Sequence, residues 1–156
     1  MPRILTCALA MIAWSSAAAE DWPGWRGPTA MGQSAEKGLP VVWGGKEGNN
    51  VLWKAQLLAG TEEVRLDQNQ SSPVVVGDRV FVTLSYWPTK AVPEKEHPEH
   101  HVVCFRSADG QRLWDTKVPP GPWRLTDLRG GYTAPTPAID GERVYVLLGS
   151  SVAAAL

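Results

Sequence analysis

Apolar and polar residues alternate along this chain in short runs, and no stretch repeats its apolar positions at the 3.6-residue spacing of a helix. The alternation predicts strands at 41–43, 51–57, 102–106, 111–118 and 152–156, with hairpins over 72–85 and about 134–148. Ser107-Ala108-Asp109-Gly110 reads as a tight turn, because Asp-Gly accepts the positive φ such turns need. Longer loops are expected between Trp87 and His100 and between Pro119 and Gly131. Residues 20–50 carry too many Gly and Pro for a helix or a long strand, and form an extended opening segment anchored by Trp22 and Trp25. The expected class is all-β.

One pattern occurs twice. Ser72-Pro73-Val74-Val75-Val76-Gly77-Asp78-Arg79-Val80-Phe81-Val82 returns as Thr136-Pro137-Ala138-Ile139-Asp140-Gly141-Glu142-Arg143-Val144-Tyr145-Val146, an offset of 64 residues. Pro73 and Pro137 open a strand, Gly77 and Gly141 turn the chain, and an aromatic residue follows on the second strand. A second echo sets Val51-Leu52-Trp53-Lys54 against Arg112-Leu113-Trp114-Asp115. The unit is therefore a hairpin, a long connection, a third strand, an Asp-Gly turn and a Leu-Trp strand. Four antiparallel strands per unit make the blade of a β-propeller, and a repeat unit buries its apolar face against the next one.

Cys104-Phe105-Arg106-Ser107-Ala108-Asp109-Gly110-Gln111-Arg112-Leu113-Trp114 resembles the repeat of pyrroloquinoline-quinone-like (PQQ-like) propellers, Ala-x-Asp-x-x-Thr-Gly-x-x-x-Trp. Gly110 and Trp114 match it, Cys104 takes the small first position, and Arg106 and Asp109 depart from the Asp and Thr of the pattern. Asp21-Trp22-Pro23-Gly24-Trp25-Arg26-Gly27-Pro28 resembles the mature start of exported bacterial quinoprotein-like propellers. The resemblance covers nearly all of residues 20–156. It implies under two blades over 51–156, an incomplete ring and the N-terminal piece of a larger protein. The last strands, 136–156, are then expected to expose an apolar edge that associates with other chains.

Residues 1–19 read as a secretory signal peptide: Arg3, an apolar run from Ile4 to Trp14, and Ala17-Ala18-Ala19 before Glu20. The apolar run is too short for a membrane anchor, so no transmembrane anchor is expected and the protein is read as periplasmic or extracellular. Cleavage lowers Lys+Arg from 15 to 14 against 16 Asp+Glu, a balance that offers nothing to nucleic acid or anionic membranes. It also leaves Cys104 as a lone thiol, expected to be buried in a strand and inert.

Candidate chemistry is sparse. His97, His100 and His101 lie among Glu94, Glu96 and Glu99 and are candidate transition-metal ligands; the alternative is a solvated, charged loop. Gly130-Gly131 before Tyr132-Thr133 lacks the Lys and helix of a phosphate loop and reads as a bend. Enzymatic members of the resembled family hold their quinone with a stacking Trp, a vicinal Cys pair and Ca²⁺-binding acids. Cys104 has no Cys neighbour, and Trp53 and Trp114 are expected to pack blade against blade in equivalent roles. No catalytic residue is assigned, and PQQ as cofactor enters by resemblance alone. The expected function is a non-catalytic binding or scaffold module with a protein partner or small ligand on the propeller face. The alternative is a fragment of a PQQ-dependent alcohol or sugar dehydrogenase.

Overall fold

A computed structural model describes residues 19–58, 63–91, 96–125 and 129–156. The leader read over 1–19 therefore lies almost wholly outside the described residues. The described chain is all-β, with eight strands in two antiparallel sheets that close into neither a barrel nor a ring. Among the described residues no helix is long and apolar enough to cross a membrane.

The first sheet contains β1 (Arg65–Leu66), β2 (Val74–Val76), β3 (Arg79–Trp87), β4 (Glu99–Arg106) and β5 (Arg112–Val118). Strands β2 to β5 form an up-and-down meander, and β1 pairs with the far end of β3, where Leu66 faces Tyr86. The second sheet repeats the meander with β6 (Ala138–Ile139), β7 (Val144–Leu148) and β8 (Val152–Ala155). The two repeated hairpins form where the alternation places them. Pro73 and Pro137 precede β2 and β6, and Gly77 and Gly141 take positive φ in the turns that follow.

Strand alternation explains the core. Val74, Phe81, Thr83, Val102 and Cys104 occupy one face of the first sheet and are all buried. Val144, Val146 and Leu148 of β7 close over that face, with Ile139 and Trp114 packed at its margin. The sheets thus stack face to face, each with alternating strands that turn one side inward. Positions 64 residues apart meet across the stack: the Ser72 N–H donates to Thr136 Oγ1 (3.1 Å) and Thr133 Oγ1 to Asn69 Oδ1 (2.7 Å).

The opening segment ties both sheets together. Trp22 pairs with Val75 through N–H···O bonds of 2.6 and 2.9 Å, and the Ile139 N–H donates to Pro23 O at 2.9 Å. Val75 and Ile139 are themselves repeat-equivalent, so one extended segment serves the same position in each sheet. Trp22 is the anchor; Trp25 is 63% exposed, with the Arg26 guanidinium over its ring, and pins nothing.

Two expected strands are absent. Residues 41–43 join no ladder, Val41 is 93% exposed, and the local bridge is Gly44 to Asn49. Residues 51–57 also join no ladder, although their exposure alternates as in a strand. A strand needs a partner edge, and neither run pairs with an edge of the described sheets. Trp53 nevertheless docks: its Nε1–H donates to Ser107 O at 2.7 Å and its ring lies over Gly110. A Cβ on Gly110 would come within 2.5 Å of that ring, and φ there is +71°, so glycine is required twice over. Trp114 packs against Phe81 instead, with ring centroids 5.8 Å apart. The two tryptophans therefore share a packing role but differ in partner and in local structure.

Candidate binding site at the loop-bearing end

Antiparallel order puts the segment before β2 and the β3–β4, β5–β6 and β7–β8 connections at one end of the sheets. The short turns at 77–78, 107–111 and 140–143 lie at the other. At the loop-bearing end the chain buries polar groups, which must find hydrogen-bond partners there. Asn69 acts as an extra backbone partner for Ser85. Its Nδ2 donates to Ser85 O (3.2 Å) and Asp67 O (3.0 Å), while its Oδ1 accepts the Ser85 N–H (2.7 Å). Asp67, only 8% exposed, accepts Ser85 Oγ–H at 2.8 Å and the Tyr132 N–H on the same carboxylate oxygen. The 67–73 segment is thereby fastened to the 131–133 bend. A side chain on Gly131 would meet Gln68 O at 2.2 Å, which explains the glycine.

Next to this network stands His100, fully buried on the inward face of β4. Its Nε2 lies 3.0 Å from Ser150 Oγ, which also accepts the Gly121 N–H at 3.1 Å. The imidazole tautomer decides which of His100 Nε2 and Ser150 Oγ donates in this bond. Burial pulls the imidazole pKa down from 6.5 to about 4, helped by His97, so the ring is neutral at pH 7. His100 Nδ1 and Trp87 Nε1 are both buried without a hydrogen-bond partner. Both rings border Tyr132, at centroid distances of 5.4 and 6.3 Å, and His97 lies edge-on to it at 6.0 Å. Four rings gather here, and of the two unpartnered nitrogens the Trp87 indole N–H can act only as a donor.

The three histidines do not converge as metal ligands. Neighbouring strand residues point to opposite faces, so His100 turns inward and His101 outward. His97 binds Trp123 O through Nε2 at 2.9 Å. His101 is held in a ladder on the far face, its Nδ1 2.6 Å from Asp115 Oδ1 and its Nε2 3.4 Å from Glu99 Oε2. Tyr86 stacks on His101 and donates to Glu99 Oε2; burial, then Glu99, pushes its phenol up to about 12. Lys117, bonded to Glu99 Oε1 at 2.7 Å, holds that carboxyl below its usual range. Among the described residues no group of three His, Cys, Asp or Glu side chains is arranged to hold a metal ion.

Sequence reasoning singled out His100 but missed Asp67, Asn69, Ser85, Tyr132 and Ser150. One signal was present: extending the 64-residue offset upstream sets Asn69 against Thr133. Cys104 is buried between Val103 and Phe105, its thiol pushed up by burial. Trp53 is committed to Gly110, and the Asp67 carboxylate to Ser85 and Tyr132. Comparison with known proteins found no matching family model, no matching curated protein and no matching solved structure.

Proposed function

We propose that this chain is an exported PQQ-like propeller-repeat protein that serves as a non-catalytic binding module. Its two sheets are successive blades, and its loop-bearing end is the binding surface for a protein partner or small ligand. One observation carries the reading: positions 64 residues apart touch across the stack, at Ser72–Thr136 and Asn69–Thr133, as neighbouring units of a repeat array do. The Trp53–Gly110 contact supports it, since a repeat-borne Trp seats on the Asp-Gly turn of the following sheet.

The chemistry of the site supports binding rather than turnover. His100 is neutral at pH 7, its Nε2 is occupied by Ser150, and the Asp67 carboxylate beside it already holds two donors. The test is a titration with pyrroloquinoline quinone and Ca²⁺, followed by Trp fluorescence and dye reduction with alcohols or aldoses. No saturable quenching and no reduction are expected. Saturable quenching with dye reduction would replace this reading by a dehydrogenase. Export is checked separately: intact mass of secreted material is expected to begin at Glu20, and retention of Met1 would remove the leader from the proposal.

A further inference from the structure

Residues 121–125 of the β5–β6 connection cross the β7–β8 turn and are fastened there by backbone groups. The Gly121 N–H donates to Ser150 Oγ, the Trp123 N–H to Ser150 O and the Leu125 N–H to Tyr132 Oη, each at 3.1 Å. His97 Nε2 holds Trp123 O at 2.9 Å. Gly121 is needed for this approach, since a Cβ there would stand 2.3 Å from Ser150 O. The anchors all surround one ring: Ser150 is hydrogen-bonded to His100, Tyr132 packs against it, and His97 lies against the same tyrosine. We infer that residues 121–125 are a strap that encloses His100 and lifts when that ring takes up a proton.

The closed strap has no place for the charged ring. An imidazolium carries N–H on both nitrogens. Nε2 then serves only as a donor to Ser150 Oγ, and the Nδ1–H is buried without an acceptor on a residue with 0% exposure. Among the described residues, the titratable groups around the ring are His97 on the β3–β4 connection, Tyr132 on the bend, Asp67 before β2 and His101 on β4 itself. Of these, Asp67 favours a charge on His100, but its Oδ2 already accepts from Ser85 and Tyr132. His97 and His101 oppose the charge, and burial opposes it more strongly than either.

Lifting the strap returns water to the ring. Enclosed, His100 has a pKa of about 4; solvated, it returns toward 6.5. The open form therefore binds the proton more tightly. The closed form is fully favoured above about 6.5 and gives way as pH falls toward 4. Between pH 7 and pH 4 the open population rises on the order of a hundredfold. The core stays shut meanwhile, because the strap hangs on a few bonds whereas β3, β4 and β5 are held by full ladders. Release opens the His100 and Tyr132 rings to solvent, so acid changes what the loop-bearing end presents, whatever that end binds.

The test is amide exchange on the whole chain, followed by NMR from pH 7 to pH 4 and corrected for the exchange rate of an unstructured peptide at each pH. Gly121, Trp123 and Leu125 are expected to lose protection on the order of a hundredfold over that range, with no response to low urea. Val103 and Cys104 are expected to stay better protected throughout and to respond to urea. His100→Gln cannot take the proton and is expected to hold strap protection level from pH 7 to pH 4. Gly121→Ala leaves the histidine alone and pushes the strap off Ser150 O; its strap amides are expected to exchange at pH 7 as they do in the parent at pH 4, with the core still protected. Parental strap protection that does not change with pH would overturn the inference. So would strap and core amides that lose protection together with one urea dependence, a His100→Gln protein that keeps the parental pH response, or a Gly121→Ala protein whose strap stays as protected as the parent's.

Discussion

The two sheets are built from one repeat and end in different conditions. In the first, Val74, Phe81, Val102 and Cys104 lie at 5% exposure or less; in the second, Tyr145 and Leu147, on the equivalent face, stand 41% and 59% exposed. Pro, turn glycine, alternation and aromatic are shared, so the sequence of the unit does not decide the burial of this face. The neighbour does. Val144, Val146 and Leu148 cover the inward face of the first sheet, whereas no described element covers Tyr145 and Leu147.

Paired substitutions test that difference most strongly. Phe81→Ala is expected to cost about 3–5 kcal/mol, as large-to-small core changes do. Tyr145→Ala, at the equivalent position, is expected to cost under about 1 kcal/mol. Urea unfolding of both variants measures the gap. Equal losses would mean that the face bearing Tyr145 is covered as well, and the contrast between the sheets would fall.

His100 sharpens the comparison from the covered side. Its pKa falls from 6.5 unfolded to about 4 folded, chiefly through burial, with His97 and His101 lowering it and Asp67 opposing them. Between these values the unfolded chain binds the extra proton. The contribution is therefore complete above the unfolded pKa, and stability declines as pH drops from about 6.5 toward 4. The full shift corresponds to a loss of up to roughly 3 kcal/mol. His100→Gln, which does not titrate, is expected to flatten this segment of the pH–stability curve relative to the parent. A parent and variant with parallel curves from pH 7 to 4 would show that His100 is hydrated and ordinary.

What could be read from the sequence follows the same division. The strands flanking Gly77 and Gly141 were legible because alternation, an opening Pro and a turn glycine all act locally. The run at 51–57 carries the same alternation, but a ladder requires a partner edge, and no local pattern records whether one is present. The arrangement of the histidines was not legible for a related reason. Ending the loop at His100 hid the start of β4 at Glu99, and with it the rule that sends His100 and His101 to opposite faces. Asp67, Asn69 and Ser85 carried no motif spacing at all. Their roles come from a bend distant in sequence, and only the repeat offset connects Asn69 with Thr133.

The smallest effect probes the seam between the sheets, where equivalent positions touch. Ser72 N–H donates to Thr136 Oγ1 at 3.1 Å, and both residues are half-buried. Thr136→Val keeps the side-chain shape and removes the acceptor, leaving a donor partly open to water. The expected cost is about 1 kcal/mol, the net worth of an ordinary hydrogen bond, since water replaces part of what is lost. Two readouts separate this from a general loosening. Amide exchange at Ser72 is expected to accelerate, whereas exchange at Val103 and Cys104, deep in the first sheet, is expected to slow or quicken only in step with global stability. Thr133→Val removes the neighbouring seam contact, the donor to Asn69 Oδ1, and the Ser85 N–H remains on that oxygen. The two variants lie on one seam, so their combined cost is expected to depart from the sum of the single costs. Strict additivity, with Ser72 exchange unchanged, would mean that the sheets are held by their apolar faces alone and that the contacts between equivalent positions do not couple them.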